Sequence, residues 1–392
     1  MDIKTEMMKL WKETFHDSDE YISLLFDRYY SGDNVAYIRE GETLKAALMA
    51  IPYDFSSNYG KLPAVYLCGL STRPEYRRQG LMSTLMKEIL GRAQNVGKAI
   101  AFLIPANSGL IDYYRDRGWS EAIYRVTEHY TPLHDFLKEN ENVNSGQSDV
   151  FTRIEYLKSH VLSDENIGFS NLVAEYLKKH ETSFDFPVLS HDSKMTDTIL
   201  RENDLSGGEV VVAENSEGSL CGVLFALPSY EKDELDVRYI LADSTQVESE
   251  LLQHLHESNP GKSITVRRFP ELTERRALWK PIYGASIPEA QTVTGFGEAE
   301  RVYDVANNAE IYGMAKILDM QAVLSFLAKK QSTGKSEKSH QISSVSELHE
   351  KLPHITEQQI QAVILRHPSG NKMITELFGL NRLALNMALL LD

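Results

Sequence analysis

The stretch Ser71–Leu90, STRPEYRRQGLMSTLMKEIL, decides how the rest of the chain is read. It follows the apolar run Ala64–Leu70, AVYLCGL, and gathers Arg73, Arg77 and Arg78 ahead of Gly80. It then continues with Leu81, Met82, Leu85, Met86 and Ile89 at three- and four-residue steps. The apolar run reads as a strand, and the steps after Gly80 predict an amphipathic helix ending near Gly91 or Gly97. A strand that stops in a basic turn and passes into a helix presents free backbone N–H groups and the positive end of the helix dipole at one point. Such a point attracts phosphate, with Gly80 allowing close backbone approach and Arg77 and Arg78 adding charge-assisted bonds. A solvated turn whose arginines cover surface has the same local pattern, so the flanking segments have to decide.

Upstream, Met8, Trp11 and Phe15 stand at helical spacing, and Asp17–Tyr30, DSDEYISLLFDRYY, opens a second helix on acid and serine caps. From Asn34 the period changes, and NVAYIREGETLKAALMAIPYDF predicts a hairpin with its turn at Glu40–Glu42. Downstream, Lys98–Ala106 reads as a strand, Asn107–Trp119 as a short helix and turn, and Ser120–Tyr130 as a closing strand. Lys138–Asp149, KENENVNSGQSD, is polar and aperiodic and marks a linker. Beyond it the order strand, turn, strand, strand, helix, strand recurs. The hairpin is Gly208–Ser229, the next strand Glu234–Ala242, the helix Ser244–Ser258 with a serine cap, and the last strand Lys262–Phe269. A third segment starts about Tyr312 with a strand leading into a helix, passes the solvated KKQSTGKSEKSH (Lys329–His340), and is otherwise mostly helical by period.

The totals set bounds on this reading. The chain has 392 residues, longer than the roughly 250 at which single cores stop growing, so two or three domains are expected. With 42% hydrophobic and 25% charged residues the composition is that of a globular protein. Fifty-six acidic against 41 basic residues, net -15, argue against a nucleic-acid surface and suit a cationic partner. Cys68 and Cys221 are far apart and lack metal-ligand spacing, so neither a disulfide framework nor a zinc site is expected. No signal peptide and no apolar run of about 18 residues is seen, which makes no membrane contact and a cytoplasmic location the default expectations.

RPEYRRQGLM resembles the acyl-CoA-binding turn of the GCN5-related N-acetyltransferase (GNAT) family, whose pattern is Arg or Gln, any two, Gly, any one, then Gly or Ala. Arg77 and Gly80 match the first and fourth positions, whereas Met82 departs from the sixth. A second block, NSGLIDYYRDRGW, places Asn107, Leu110, Tyr113, Tyr114, Gly118 and Trp119 where the family has Asn, Ala, Phe, Tyr, Gly and an aromatic. Two blocks in the right order and context are far more specific than either alone. The resemblance implies acetyl-CoA as acyl donor. It assigns the cofactor to Leu70, Ser71, Thr72, Arg77, Arg78, Gln79, Gly80, Leu81, Met82 and Ser83, together with Asn107 and Tyr113. Tyr114 matches the family's usual acid, and a backbone amide near Leu70 would meet the oxyanion. No base stands out: Glu75, Glu121 and His129 have no spacing that sets them apart from solvated or structural residues.

The turn RRQGLM and the segment GMAKILDMQAVLSFLA resemble the tridomain group that includes the mycobacterial enhanced intracellular survival (Eis) protein, a resemblance that spans most of the chain, strongly to Arg125 and weakly beyond. That resemblance implies an α/β (α+β) chain of two tandem GNAT-type mixed-sheet units, the second degenerate, and a small C-terminal domain resembling a reduced sterol-carrier-like or helical domain. The expected boundaries are 1–137, 150–305 and 306–392. The second unit's strand-to-helix turn, LADSTQVESELL, lacks glycine and arginine, and Asp243 would repel a diphosphate, so no cofactor is expected there. The group also implies that the chain end reaches the first active site, which proposes Asp392, carried on LALNMALLL; an ordinary packed terminal helix is the other reading. The implied function is acetyl-CoA-dependent N-acetylation of a small-molecule or peptide amine, cationic in character, such as an aminoglycoside, a polyamine or a lysine. The alternative is a catalytically inactive protein of the same fold that binds acyl-CoA or another ligand. A homo-oligomer is compatible with either.

Overall fold

The computed structural model describes residues 2–137, 153–157, 167–184, 186–229, 232–269, 310–333, 342–353, 355–365 and 387. Its first elements are α1 (Ile3–Phe15), α2 (Asp19–Tyr29), β1 (Val35–Glu40), β2 (Thr43–Ser57), β3 (Gly60–Thr72), α3 (Leu81–Asn95), β4 (Ile100–Leu103), α4 (Gly109–Arg115) and β5 (Ser120–Tyr130). There follow β6 (Arg153–Leu157), α5 (Ile167–Glu181), β7 (Val188–Leu189), α6 (Ser193–Leu205), β8 (Glu209–Glu214), β9 (Leu220–Pro228), β10 (Glu234–Ala242), α7 (Thr245–Ser258) and β11 (Ser263–Arg268). The last are β12 (Glu310–Ile317), α8 (Met320–Thr333), α9 (Val345–Lys351) and α10 (Glu357–Leu365). The linker expected at Lys138–Asp149 lies outside the described residues. Two compact units result.

The first unit draws on the described residues of Met1–Ile123, Glu181–Ser190 and Ile311–Asn386. Its strands run β1-β2-β3-β4-β12, with β7 also paired to β2. The hairpin β1/β2 and the pair β2/β3 are antiparallel, β3/β4 is parallel, and β12 lies antiparallel to β4 with Met314 opposite Leu103 and Ile317 opposite Ile100. Alternation along the strands separates two buried faces. One carries Leu48, Ala50, Val65, Leu67, Ala101 and Leu103 against Leu85, Met86 and Ile89 of α3. Aromatic residues make up much of the other: Tyr66 and Phe102 stack at 5.2 Å, and Phe55 meets Phe102 edge-on at 5.2 Å. α1 and α8 pack on β3, the latter bringing Phe326 to Tyr59 at 4.8 Å.

The second unit comprises the described residues of Tyr124–His180, His191–Glu310 and Met387–Asp392. It repeats the first unit's local order. β8/β9 and β9/β10 are antiparallel, α7 follows β10, and β11 returns parallel to β10. Ser244 caps α7 by accepting from the Val247 N–H. Asp243, just before it, accepts from the Tyr176 hydroxyl at 2.9 Å and lies 2.9 Å from Nε2 of His180. Arg268 is buried between Glu128 and Glu248, which compensate its charge.

Candidate active site

The site begins with a fault in β3. Met49 lies opposite Cys68 and Ala47 opposite Ser71, so β3 carries an extra residue at Gly69–Leu70, a β-bulge. Gly69 sits at φ 61, and a Cβ there would lie 2.2 Å from Cζ3 of Trp11. Both the left-handed backbone and the close indole therefore require glycine. The sheet opens on the β4 side just ahead of the bulge. Pairing of β3 with β4 stops at Tyr66/Phe102 while β3 runs on to Thr72, so among the described residues no strand flanks that edge of Leu67–Thr72.

A 3₁₀ turn, Pro74–Tyr76, then leads into the basic loop. Arg78 and Gly80 adopt left-handed φ values of 62 and 78, which turns the chain sharply into α3. Asp2, Ser18, Asp192, Ser244 and Ser344 cap α1, α2, α6, α7 and α9 with side-chain oxygens. Gly80 has no side chain and makes no side-chain cap to α3. The amides of Leu81, Met82 and Ser83 are thus presented by the helix without such a cap, and the space above Gly80 is open, with nothing within 4 Å of a Cβ there. This is the donor set a diphosphate fits.

The individual side chains divide the work. Arg77 donates from Nε to the Thr72 carbonyl at 3.0 Å, tying the loop to the strand end, while Arg78 is exposed. Gln79 reaches back to the Glu75 carbonyl at 3.3 Å. The Ser71 hydroxyl is turned into the sheet toward the Gly69 carbonyl at 3.1 Å, leaving its backbone rather than its side chain for a ligand. Met82, the departure from the family pattern, packs with Leu70 and Leu81 against the core. Its bulk therefore leans away from the helix end, and only its amide is offered there.

The second block forms α4. Asn107 is exposed, its carbonyl accepting from the Leu110 N–H at 3.1 Å. Tyr114 is 6% exposed and packs edge-on to Tyr113 at 5.2 Å and to Trp119 at 6.1 Å. Burial, reinforced by Tyr113 and opposed by Arg117, pushes its phenol up to about 12, so it holds its proton at neutral pH. Tyr114 is thus a core residue with a protonated hydroxyl.

Sequence reasoning missed Arg117. Its Nε donates to Ser83 Oγ at 2.9 Å, an Nη donates to the Tyr113 carbonyl at 2.8 Å, and the guanidinium stacks 3.5 Å over the Tyr113 ring. It thereby fastens the first turn of α3 to α4, joining the two blocks that the sequence presents separately. An arginine between the tyrosine pair and Gly118–Trp119 was the available signal. The three carboxylate and imidazole candidates for a base are dispersed. Glu75 is exposed in the 3₁₀ turn, Glu121 pairs with Arg115, and His129 belongs to the second unit with Nδ1 2.9 Å from Thr265 Oγ1. Asp392 lies outside the described residues.

Comparison with known proteins bears on the domain and the fold. Residues 2–122 match the family model for the acetyltransferase (GNAT) domain. No curated protein matches the chain in sequence. Among solved structures, a conserved protein of Enterococcus faecalis V583 described as a probable N-acyltransferase superposes with TM-score 0.57 at 15% identity, covering 82% of this chain and 72% of that one. A GCN5-related N-acetyltransferase from Kribbella flavida gives 0.55 at 16% identity, with 82% and 70% covered. Eis1 from Mycobacterium abscessus gives 0.54 at 12% identity, with 83% and 74% covered. These likenesses establish a shared fold.

Proposed function

We propose, from the match of residues 2–122 to the acetyltransferase (GNAT) domain, that this chain is an N-acetyltransferase that moves an acetyl group from acetyl-CoA to a primary amine of a cationic substrate. The observation that carries the reading is the α3 terminus with no side-chain cap, following a strand whose pairing with β4 stops at Tyr66 and which carries a bulge at Gly69–Leu70.

Acetyl-CoA supplies an activated thioester. The chain's part is positional and electrostatic. The amides of Leu81, Met82 and Ser83 and the Arg78 guanidinium hold the diphosphate, with Arg77, Gln79 and Thr72 shaping the loop. The backbone at Leu70, in the bulge, offers an N–H to the carbonyl oxygen as it gains charge. Tyr114, protonated at neutral pH, donates toward the sulfur as the thiolate leaves. Asn107 and Tyr113 line the α4 side. An excess of 15 negative charges favours a cationic acceptor by long-range attraction, and the attacking amine must first lose its proton.

Thiol release from acetyl-CoA with a panel of aminoglycosides, polyamines and lysine peptides tests this directly. Turnover with a cationic amine, reduced at least about tenfold in Tyr114→Phe, is the expected result. Tight CoA binding without turnover on any amine would instead identify a ligand-binding protein of this fold.

A further inference from the structure

α4 has only seven residues, too few to stay helical unaided, and it carries Tyr113 and Tyr114. Its C-terminal corner is therefore as important as its sequence. The corner closes on itself in part: the Arg117 and Trp119 N–H groups donate to the Tyr114 carbonyl at 2.9 and 3.1 Å, and the Gly118 N–H donates to the Arg115 carbonyl at 3.0 Å. The carbonyls of Arg117 and Gly118 are met by residues some 200 positions away in sequence. Lys316 of β12 donates from Nζ to the Arg117 carbonyl at 2.8 Å. Gln361 of α10 donates from Nε2 to the Gly118 carbonyl at 2.9 Å and to Ser120 Oγ at 3.0 Å, and its Oε1 accepts from the Ile317 N–H at 2.8 Å.

We propose that Gln361 and Lys316 are positioning residues for the transfer: from the C-terminal segment they clamp the α4–β5 corner and so fix where Tyr114 and Arg117 stand.

This rests on the reading of Tyr114 as proton donor. Gln361 is 5% exposed and its amide uses both donors and its acceptor. A backbone N–H can only donate and a backbone carbonyl can only accept, so the orientation of that amide is determined by its partners. Lys316 approaches so closely that a Cβ on Gly118 would stand 3.0 Å from Nζ, while Gly118 already needs φ 78. Burial lowers the Lys316 pKa, the mark of an amine partly withdrawn from solvent at this corner. From the corner the constraint passes through Arg117 to Ser83 on α3 and to the face of Tyr113. A misplacement of about 1 Å at a reacting group can cost about 100-fold in rate, so loosening this corner should appear in kcat.

The experiment uses the full chain with Gln361→Glu, Lys316→Met and Lys316→Arg. Glu keeps the shape of Gln and can still accept from Ile317, but loses both donors. Measured are kcat and KM for acetyl-CoA, the CoA dissociation constant by calorimetry, and hydrogen exchange over Arg115–Ser120. Expected are a kcat lower by about tenfold or more in Gln361→Glu, a smaller loss in Lys316→Met restored in Lys316→Arg, CoA affinity within about twofold of wild type, and faster exchange at the corner. An unchanged kcat in both Gln361→Glu and Lys316→Met overturns the proposal, and so does a parallel fall of CoA affinity and kcat, which would mark ordinary destabilisation. Full turnover in Tyr114→Phe would remove the acid reading alone. The exchange data would then still decide whether the clamp holds the corner, unaltered exchange overturning it.

Discussion

Gly69 and Gly80 are both held at left-handed φ, 61 and 78, yet their surroundings give them opposite sensitivities. At Gly80 a Cβ meets nothing, so alanine there carries only the backbone penalty of about 1–2 kcal/mol. At Gly69 the same penalty is joined by collision with the buried Trp11 ring, 2.2 Å from Cζ3 and 2.5 Å from Cε3, which has no free end to swing away. Gly69→Ala is expected to cost about 2–4 kcal/mol in urea unfolding, roughly twice the cost of Gly80→Ala; equal costs would mean the indole is not lodged on the bulge. Tyr114 gives a second prediction. Its folded pKa of about 12 lies above the ordinary 10, so the folded state holds the proton more tightly. The resulting stability is fully present below pH 10 and is lost as pH rises toward 12, a change of about 2–3 kcal/mol. Tyr53 and Tyr176 are raised as well, so the quantity to measure is the difference between wild type and Tyr114→Phe. That difference should shrink across pH 10–12, and a difference independent of pH would place Tyr114 in water.

Among the elements, local pattern was readable wherever the physics is local. The steps after Gly80 predict α3, found at Leu81–Asn95, and Glu234–Ala242 and the serine-capped α7 lie where period and cap place them. The first helix shows the limit. Met8, Trp11 and Phe15 stand at helical spacing and the helix is found, but its buried residues are Glu6, Met7, Leu10 and Trp11, and Phe15 is 36% exposed. The face is set by Trp11 seating over Gly69, a contact no periodicity encodes. Likewise the basic turn, the tyrosine block and the arginine beside it are visible in sequence, whereas the bridge Arg117 makes between them, and the reach of Lys316 and Gln361 to the corner from far downstream, emerge only once the chain is folded. The loop itself yields a sharper test than its arginine count suggested. Arg77 is partly committed to Thr72, while Arg78 is exposed. Arg78→Ala should weaken CoA binding by about tenfold at unchanged stability, and the double replacement by more, with some loosening of the turn. Both effects should diminish as salt rises. An affinity indifferent to Arg78 and to salt would leave the helix amides as the whole of the cradle.

At the scale of the whole molecule, the match at residues 2–122 ends well short of the residues that complete its sheet. All four residues of β4 are buried, and β4 has β3 on one edge for three residue pairs and β12 on the other for four. β12 comes from Glu310–Ile317, and the helix that follows it covers β3 with Phe326 and its neighbours. A fragment ending at residue 137 would expose the outer edge of β4, lose the Gln94 bond to the Leu318 carbonyl, and uncover Tyr59 and the surface beneath α8. An unpaired apolar edge is an aggregation template, and the loss of apolar burial removes about 25 cal/mol for each Å² uncovered. The fragment 1–137 is therefore expected to lack a cooperative urea transition and to lose near-UV circular dichroism and CoA binding, though it holds both sequence blocks. The full chain should show all three. A fragment that unfolds cooperatively and binds CoA with full affinity would show that β12 is an addition to a finished domain and not its last strand.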